Sequence, residues 1–275
     1  MGFTINTNIE AMNANRNMGI TAASMAKTME RLSSGLRINR AADDAAGLSI
    51  SEKLRGQVNG LRRATANAQD AISLIQVAEG SLNETHSILQ RIRELAVQAA
   101  NDTLGSQERD SIQQEIDSLL EEIDRIASTT TYGGGMKLLD GTQSATALNF
   151  QIGANSGQSI AVTIAEATVS ALSISGVSIT SHTLASQAIV SIDAAINTIS
   201  TQRSKLGAIQ NRLEHTIANL GVNAENVAAA ESRIRDADVA AEMVSFTRAQ
   251  ILSQSGMAAL AQANTSRQMV LQLLR

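Results

Sequence analysis

The chain has no cysteine, proline or tryptophan, and only one tyrosine and three phenylalanines in 275 residues. Each absence excludes something. Without cysteine there is no disulfide and no thiolate metal site, so stability cannot follow the redox state of a compartment. Without proline no helix is broken by a missing amide donor or a ring clash; interruptions must come from glycine or from clusters of Asn, Asp, Ser and Thr. With so few aromatics a thick globular core has little to fill it. Apolar content comes instead from Ala, Ile, Leu and nine Met, which suit thin seams between helices. The net charge is −4 and the basic residues are scattered among acids. That leaves no basic stripe for phosphate backbones and argues against a nucleic-acid partner. No apolar run approaches the roughly 20 residues needed to cross a bilayer, so membrane insertion is not expected. The opening MGFTINTNIEAMNANRNM lacks a basic region followed by an apolar stretch and does not read as a secretory signal. Asn6 stands where myristoylation at Gly2 would want Ser or Thr. Composition alone reads as soluble and intracellular.

What is present is heptad stepping at two places. Leu61, Ala64, Ala68, Ala71, Ile75, Ala78, Leu82, Thr85, Leu89, Ile92, Ala96 and Ala99 step by three and four without a break. Ala185, Ile189, Ile192, Ile196, Ile199, Arg203, Leu206, Gln210, Leu213, Ile217, Leu220, Ala224 and Val227 do the same. Such helices would be roughly 58 and 64 Å long. One apolar seam on each is most simply buried by laying one helix against the other. A shorter helix with Ile112, Ile116, Leu119, Ile123 and Ile126 on one face follows the Asn101–Ser106 turn and should fold back beside its predecessor. Thr129–Gly135 is read as its terminator. Leu148, Phe150 and Ile152, then Ile160, Val162 and Ile164, alternate about a Gly/Asn-rich turn and predict a β-hairpin. The Ser/Ala/Thr/Ile-rich stretch 166–184 gives no period. The expected fold is mainly α: a long antiparallel helical hairpin, a coiled-coil rod, with a small β-hairpin region.

The ends are patterned more weakly. Met18, Ala22, Met25, Met29, Leu32 and Leu36 form a thin stripe, and Ser33–Gly47 reads as an interruption. Beyond Ala237 the large residues Val239, Met243, Phe246, Met257, Leu260, Val270, Leu271 and Leu274 are sparse. Neither end carries enough apolar area to offset its ordering entropy alone. Stacked on copies of themselves, both could, and this points to polymerisation.

Chemistry-bearing constellations are weak. His86, His182 and His215 have no metal-ligand spacing. Asp43-Asp44 and Glu121-Glu122 resemble paired catalytic carboxylates, but helical neighbours point roughly 100° apart. Gly133-Gly134-Gly135 lacks the Lys-Ser/Thr of a phosphate loop. The triplets starting at Asn83, Asn101 and Asn264 fit a glycosylation pattern by coincidence. No enzyme activity and no cofactor are expected. Arg203 and Gln210 interrupt an apolar seam, either as a helix edge reaching water or as register pins.

The weak first segment contains Arg31-Leu32-Ser33-Ser34-Gly35-Leu36-Arg37-Ile38-Asn39 and Ala41-Ala42-Asp43-Asp44-Ala45-Ala46-Gly47; the far end contains Asn226 to Asp238, Ala249-Gln250-Ile251-Leu252, Leu260 to Asn264 and a closing Leu271-Gln272-Leu273-Leu274-Arg275. With Phe150-Gln151-Ile152-Gly153-Ala154-Asn155 between them, these closely resemble bacterial flagellin along nearly the whole chain. The resemblance implies a structural subunit that polymerises into the flagellar filament for motility. Residues 1–43 and 235–275 would form its inner coiled-coil layer; 44–184, with two long helices and the β-hairpin, and the helix 185–234 would form the next layer outward. Little room remains for outer domains, so this looks like a minimal flagellin. Inner-layer assembly would use Met18, Met25, Met29 and Leu32 at one end and Met243, Phe246, Met257 and Leu260 at the other. The resemblance further implies many identical copies, a flagellar export apparatus used without a cleaved signal, an export chaperone and a filament cap. It moves the expected location from inside the cell to the extracellular filament. Leu89 to Gln98 is similar to the segment recognised by the mammalian Toll-like receptor for flagellin, which would make Gln90, Arg91 and Leu95 contact residues, with Glu115 on the following helix. The hook–filament junction protein, also similar at both ends, is the alternative; a cytosolic coiled-coil adaptor would explain the heptads but not the termini.

Overall fold

The computed structural model describes residues 7–144 and 146–273, with side chains given as far as Ser266. The readings at Gly2, Asn6, Leu274 and Arg275, and those on the side chains of Val270 and Leu271, lie outside the described residues. In chain order the elements are α1 (Ile9–Ser34), α2 (Ala45–Ala99), α3 (Ser106–Thr129), β1 (Thr131–Tyr132), β2 (Met136–Lys137), β3 (Leu148–Gln151), β4 (Ser159–Val162), α4 (His182–Arg235) and α5 (Val239–Leu273). The fold is mainly α, with two small antiparallel strand pairs, β1–β2 and β3–β4. The chain forms two compact units, Gln57–Glu225 and a second made by the residues up to Gly56 with those from Asn226 onward.

In the central unit α2, α3 and α4 share one apolar core. Arg93 pairs with Asp193 and Glu79 with Arg203, so α2 and α4 run antiparallel. Arg91 meets Glu115 while Thr130 donates to Ser81, which sets α3 antiparallel to α2. The heptad reading of α2 holds in full: every position from Ala64 to Ala99 is buried, Thr85 included, and Leu61 is half-buried. On α4 the reading is half right. Ala185, Ile192, Ile199, Leu206, Leu213 and Leu220 are buried, but the second inner row is Ala188, Ala195 and Gln202, not Ile189, Ile196 and Arg203, which sit half-buried at the flank. Hydropathy ranks Ile above Ala, whereas a close helix–helix approach favours the smaller side chain. Arg203 thus lies at the helix edge, and the buried polar residue is its neighbour Gln202, whose Nε2 donates to the Ala165 carbonyl at 2.8 Å. Gln210 caps nothing in the core; it bonds Glu214 one turn on.

Two further differences concern the stretch after α3. Thr130, in extended conformation, ends that helix. The three glycines that follow build the turn between β1 and β2, with φ of 42°, 84° and 95°. This left-handed run is where only glycine is unstrained. The expected hairpin is present, pairing Leu148 with Val162 and Phe150 with Ile160. Residues 166–181, unreadable by period, form turns rather than a regular element, yet bury Ala167, Val169, Leu172, Ile174 and Ile179. They are held to α3 by side chains: Asp124 accepts from the Val169 amide at 2.8 Å, and Gln113 accepts from the Ile179 amide at 2.9 Å while donating to the Val177 carbonyl at 3.1 Å. Non-local side-chain bonds of this kind leave no periodic trace.

In the other unit α1 and α5 lie antiparallel, with Asn8 donating to the Ala263 carbonyl near one end and Arg31 paired with Glu242 near the other. Asn8 caps α1 by accepting from the Ala11 amide at 3.0 Å, and Gly35 closes it in the left-handed conformation. The inward face of α1 is Ala11, Ala14, Met18, Thr21, Met25, Thr28 and Leu32; that of α5 is Glu242, Phe246, Ala249, Ser253, Gly256, Leu260 and Ala263. Both step by three and four. Ala22 and Met29, expected on this seam, are exposed, and their neighbours Thr21 and Thr28 take the inner positions. After α1, Arg37 donates its amide to the Arg235 carbonyl at 2.7 Å and Ala237 donates to Gly35 at 2.9 Å. Around this short antiparallel stitch, Ile38 is buried and Glu52 pairs with Arg235.

Candidate functional site

Two surfaces carry the expected functional residues. The first is the α1–α5 pair. Its seam is made mostly of small and hydroxyl side chains, so the backbones approach closely but bury little: only Thr28 and Ala249 are fully enclosed along it among the described residues. Met18, Met25, Leu32, Phe246 and Leu260 are half-buried between the two helices. Met29, Met243 and Met257 are not; they are 53, 49 and 54% exposed on the outward faces. Other large apolar residues not expected among the assembly residues are exposed as well: Ile9, Met12 and Ile20 on α1, and Val244, Ile251 and Leu252 on α5. A helix apolar on more than one side is normally covered on more than one side. That was the available signal, since α5 carries large apolar residues at positions no single stripe can hold.

The second surface is the face shared by α2 and α3. The Arg91 guanidinium reaches Glu115 at 2.9 Å and Glu94 at 3.4 Å, and the Glu115 carboxylate beside it raises the already high Arg91 pKa. Gln90 is exposed and lies against His86 at 3.0 Å. Leu95 is 2% exposed and belongs to the core. Of the four residues named for receptor contact, three share a polar surface and the fourth lies beneath it. A side chain with no free surface supports its neighbours and cannot itself touch a partner while the fold is intact.

The residues weighed for catalysis have structural partners. Asp43 and Asp44 lie in the turn before α2, not on a helix. Lys27 holds Asp43 through a 2.8 Å ion pair, and the Asn39 and Arg40 amides donate to its carboxylate. The Lys27 hydrogen bond, then the Arg40 amide, lower its pKa to about 2. Asp44 caps α2 by accepting from the Gly47 amide at 2.8 Å. Glu122 pairs with Arg125 on the same helix, which lowers its pKa. Among the described residues no group of three His, Cys, Asp or Glu side chains could hold a metal ion, and no helix is long and apolar enough to cross a membrane.

A mainly α protein whose terminal helix pair leaves large apolar side chains exposed is the class this arrangement defines. The family comparisons carry it further. Residues 5–144 match the bacterial flagellin N-terminal helical region and residues 189–274 the bacterial flagellin C-terminal helical region. The chain is 55% identical over 273 residues to a flagellin of Halalkalibacterium halodurans, covering 98% of this chain and 99% of that one. It is 51% identical over 305 residues to a flagellin of Bacillus subtilis, with the same coverage. A crystal structure of Bacillus cereus flagellin matches with a TM-score of 0.51 at 32% identity, over 60% of this chain and 94% of that one. A putative flagellar hook-associated protein from Vibrio parahaemolyticus shares the fold, with a TM-score of 0.59 at 14% identity over 70% of this chain and 100% of that one. The chain belongs to the bacterial flagellin family, a family of structural proteins.

Proposed function

We propose that this chain is the subunit that polymerises into the bacterial flagellar filament and so serves motility. The observation that carries the reading is the outward apolar surface of α1 and α5, where Met29, Met243 and Met257 stand exposed beside Ile20, Ile251 and Leu252. Neighbouring copies supply the cover, and at about 25 cal/mol per Å² of apolar area buried the gain grows with each copy docked. Residues 1–43 and 235–275 form the inner coiled-coil layer in this scheme, and 44–184 with 185–234 the layer outside it. The terminal segments order as they dock, because the pair alone buries too little to offset ordering. The subunit leaves the cell through the flagellar export apparatus without a cleaved signal, attended by an export chaperone, and adds beneath a filament cap. The experiment is elongation of short filament seeds. The full chain should extend them, and a chain trimmed to 45–234 should stay soluble; long filaments from the trimmed chain would refute the mechanism.

Because a hook-associated protein shares this fold, the junction reading is separated by abundance. A filament subunit makes up the bulk of sheared surface filaments, a junction protein a few copies. A host Toll-like receptor for flagellin is a further partner, meeting Gln90, Arg91 and Glu115 with Leu95 supporting them from below. Signalling by the soluble chain tests this, and no response at high concentration rejects it.

A further inference from the structure

The central unit carries unpaired charges of opposite sign at two heights. On α2, Arg62 and Arg63 are exposed and have no acidic partner among the described residues. They stand four heptads before Gln90 and Arg91. The α2 seam keeps its seven-residue step over that interval, with Ala64, Ala71, Ala78, Thr85 and Ile92 all buried, so the two pairs share one side of the helix. Their surroundings differ. Beside Arg91 lies α3, which supplies Glu115. Beside Arg62 and Arg63 lies the β3–β4 hairpin, bonded to α2 through Asn67 and Gln151 and packed on Gly60, and residues 148–162 contain no acid. On α3 the imbalance is reversed. Asp110, Asp117 and Glu121, spaced by seven and four, are exposed on the side away from buried Ile112, Ile116 and Ile123. The two cations of that helix are taken up, Arg109 by Asp102 and Arg125 by Glu122. Glu115, between Asp110 and Asp117, pairs with Arg91, which sets the acidic face level with Arg91.

We propose that the Asp110–Asp117–Glu121 face of α3 receives Arg62 and Arg63 of a second copy, in a head-to-tail contact between parallel central units. The occupant follows from charge and place. The two surfaces are opposite in sign, each occurs once per chain, and neither finds its counterpart within its own chain. The Arg63 to Arg91 interval, four heptads at 1.5 Å per residue, sets the displacement along α2 at about 42 Å. A contact between two different patches at different heights does not close on itself as a two-fold pair does; it leaves one patch of each sign free and repeats. Exposed charges of this kind steer the encounter and fix its register more than they add strength. The contact uses side chains of the central unit only, so it forms before the terminal segments order and holds the incoming copy in line while they do.

This inference rests on the filament reading, and the test keeps the two apart. Elongation of short seeds is compared for the full-length parent and two full-length variants. One carries Arg62→Glu and Arg63→Glu; the other carries Asp110→Lys, Asp117→Lys and Glu121→Lys. Each alone should elongate about tenfold or more slowly than the parent, because like charges now meet. Mixed in equal amounts they should elongate faster than either alone, since each offers the charge the other has lost. Damage to folding would not be repaired by mixing. The parent rate should fall as salt is raised, and a chain with Arg62→Gln and Arg63→Gln should be slower and less sensitive to salt. If a reversed chain lacks helical circular dichroism, the rate and salt dependence of the Gln chain decide alone. Reversed chains that elongate at the parent rate, or a mixture no faster than its parts, would overturn the inference. So would a closed dimer of the parent that the reversals abolish, or a Gln chain matching the parent at every salt concentration. Failure of the parent to elongate would instead overturn the filament reading.

Discussion

Two glycines inside α2 give a matched test of how the central unit is packed. Gly60 and Gly80 both occupy the helix interior, where alanine is favoured over glycine by about 1 kcal/mol. A Cβ added at Gly80 meets nothing within 4 Å, whereas at Gly60 it lies 2.8 Å from the Ala154 Cβ and 3.1 Å from its Cα. Neither Ala154 atom is the free end of a flexible side chain, so the tip of the β3–β4 hairpin must move. That tip is tied down: Asn67 donates to the Gln151 carbonyl at 3.0 Å, and the Gln151 side-chain Nε2 donates to the Gly153 and Asn155 carbonyls at 2.9 and 2.7 Å. Overpacking of this kind costs about 1–3 kcal/mol. Gly80→Ala should therefore stabilise by about 1 kcal/mol. Gly60→Ala should lie about 1–3 kcal/mol below it, the helix preference cancelling between the two. Urea unfolding followed by circular dichroism reads the difference as a shift in midpoint at constant slope. Equal shifts for both variants would show that the hairpin tip is not held against α2 and would refute the reasoning.

Other predictions follow from burial and charge. Leu89→Ala and Ile92→Ala, both fully buried, should each cost about 2–5 kcal/mol in the same assay; exposed Val97→Ala should change stability by about 0.5 kcal/mol or less. Asp43 titrates at about 2, below its usual 3.8. Its contribution to the order of the α1–α2 connector is therefore complete above the usual value and lost as pH falls through about 2. The Asn39 and Arg40 amides should show this step by NMR, and Asp43→Asn should remove it. The Arg91–Glu115 pair is half-exposed, so its coupling, measured by a double-mutant cycle, should weaken as salt is raised; a salt-independent coupling would mean the pair is better shielded than the structure places it.

How much of this was legible in the sequence depended on side-chain size. The α2 seam could be read position by position because small and large apolar residues step by three and four along its inner face without a break, so close approach and hydropathy pick the same positions. The α4 and α1–α5 seams could not. There Ala188, Ala195, Thr28 and Ala249 are buried while Ile189, Ile196, Met29 and Met243 stand at flanks or outside. A reading by hydropathy picks the larger residue, whereas close approach of two helices picks the smaller. Leu95 shows the same limit on the recognition face: resemblance gave its position, but only packing shows that its side chain points inward. The turns over 166–181 were illegible for another reason, since what fixes them, Asp124 and Gln113, lies far off in the sequence.

The stitch between Gly35–Arg37 and Arg235–Ala237 sets a timetable for the nascent chain. Its two halves are about two hundred residues apart, which at ribosomal rates of about 5–20 residues per second separates their synthesis by roughly ten to forty seconds. Throughout that interval α1 has been made and its companion helix has not. The leading end must wait with its greasy side uncovered, and whatever shelters or delays it then decides how many finished chains close correctly.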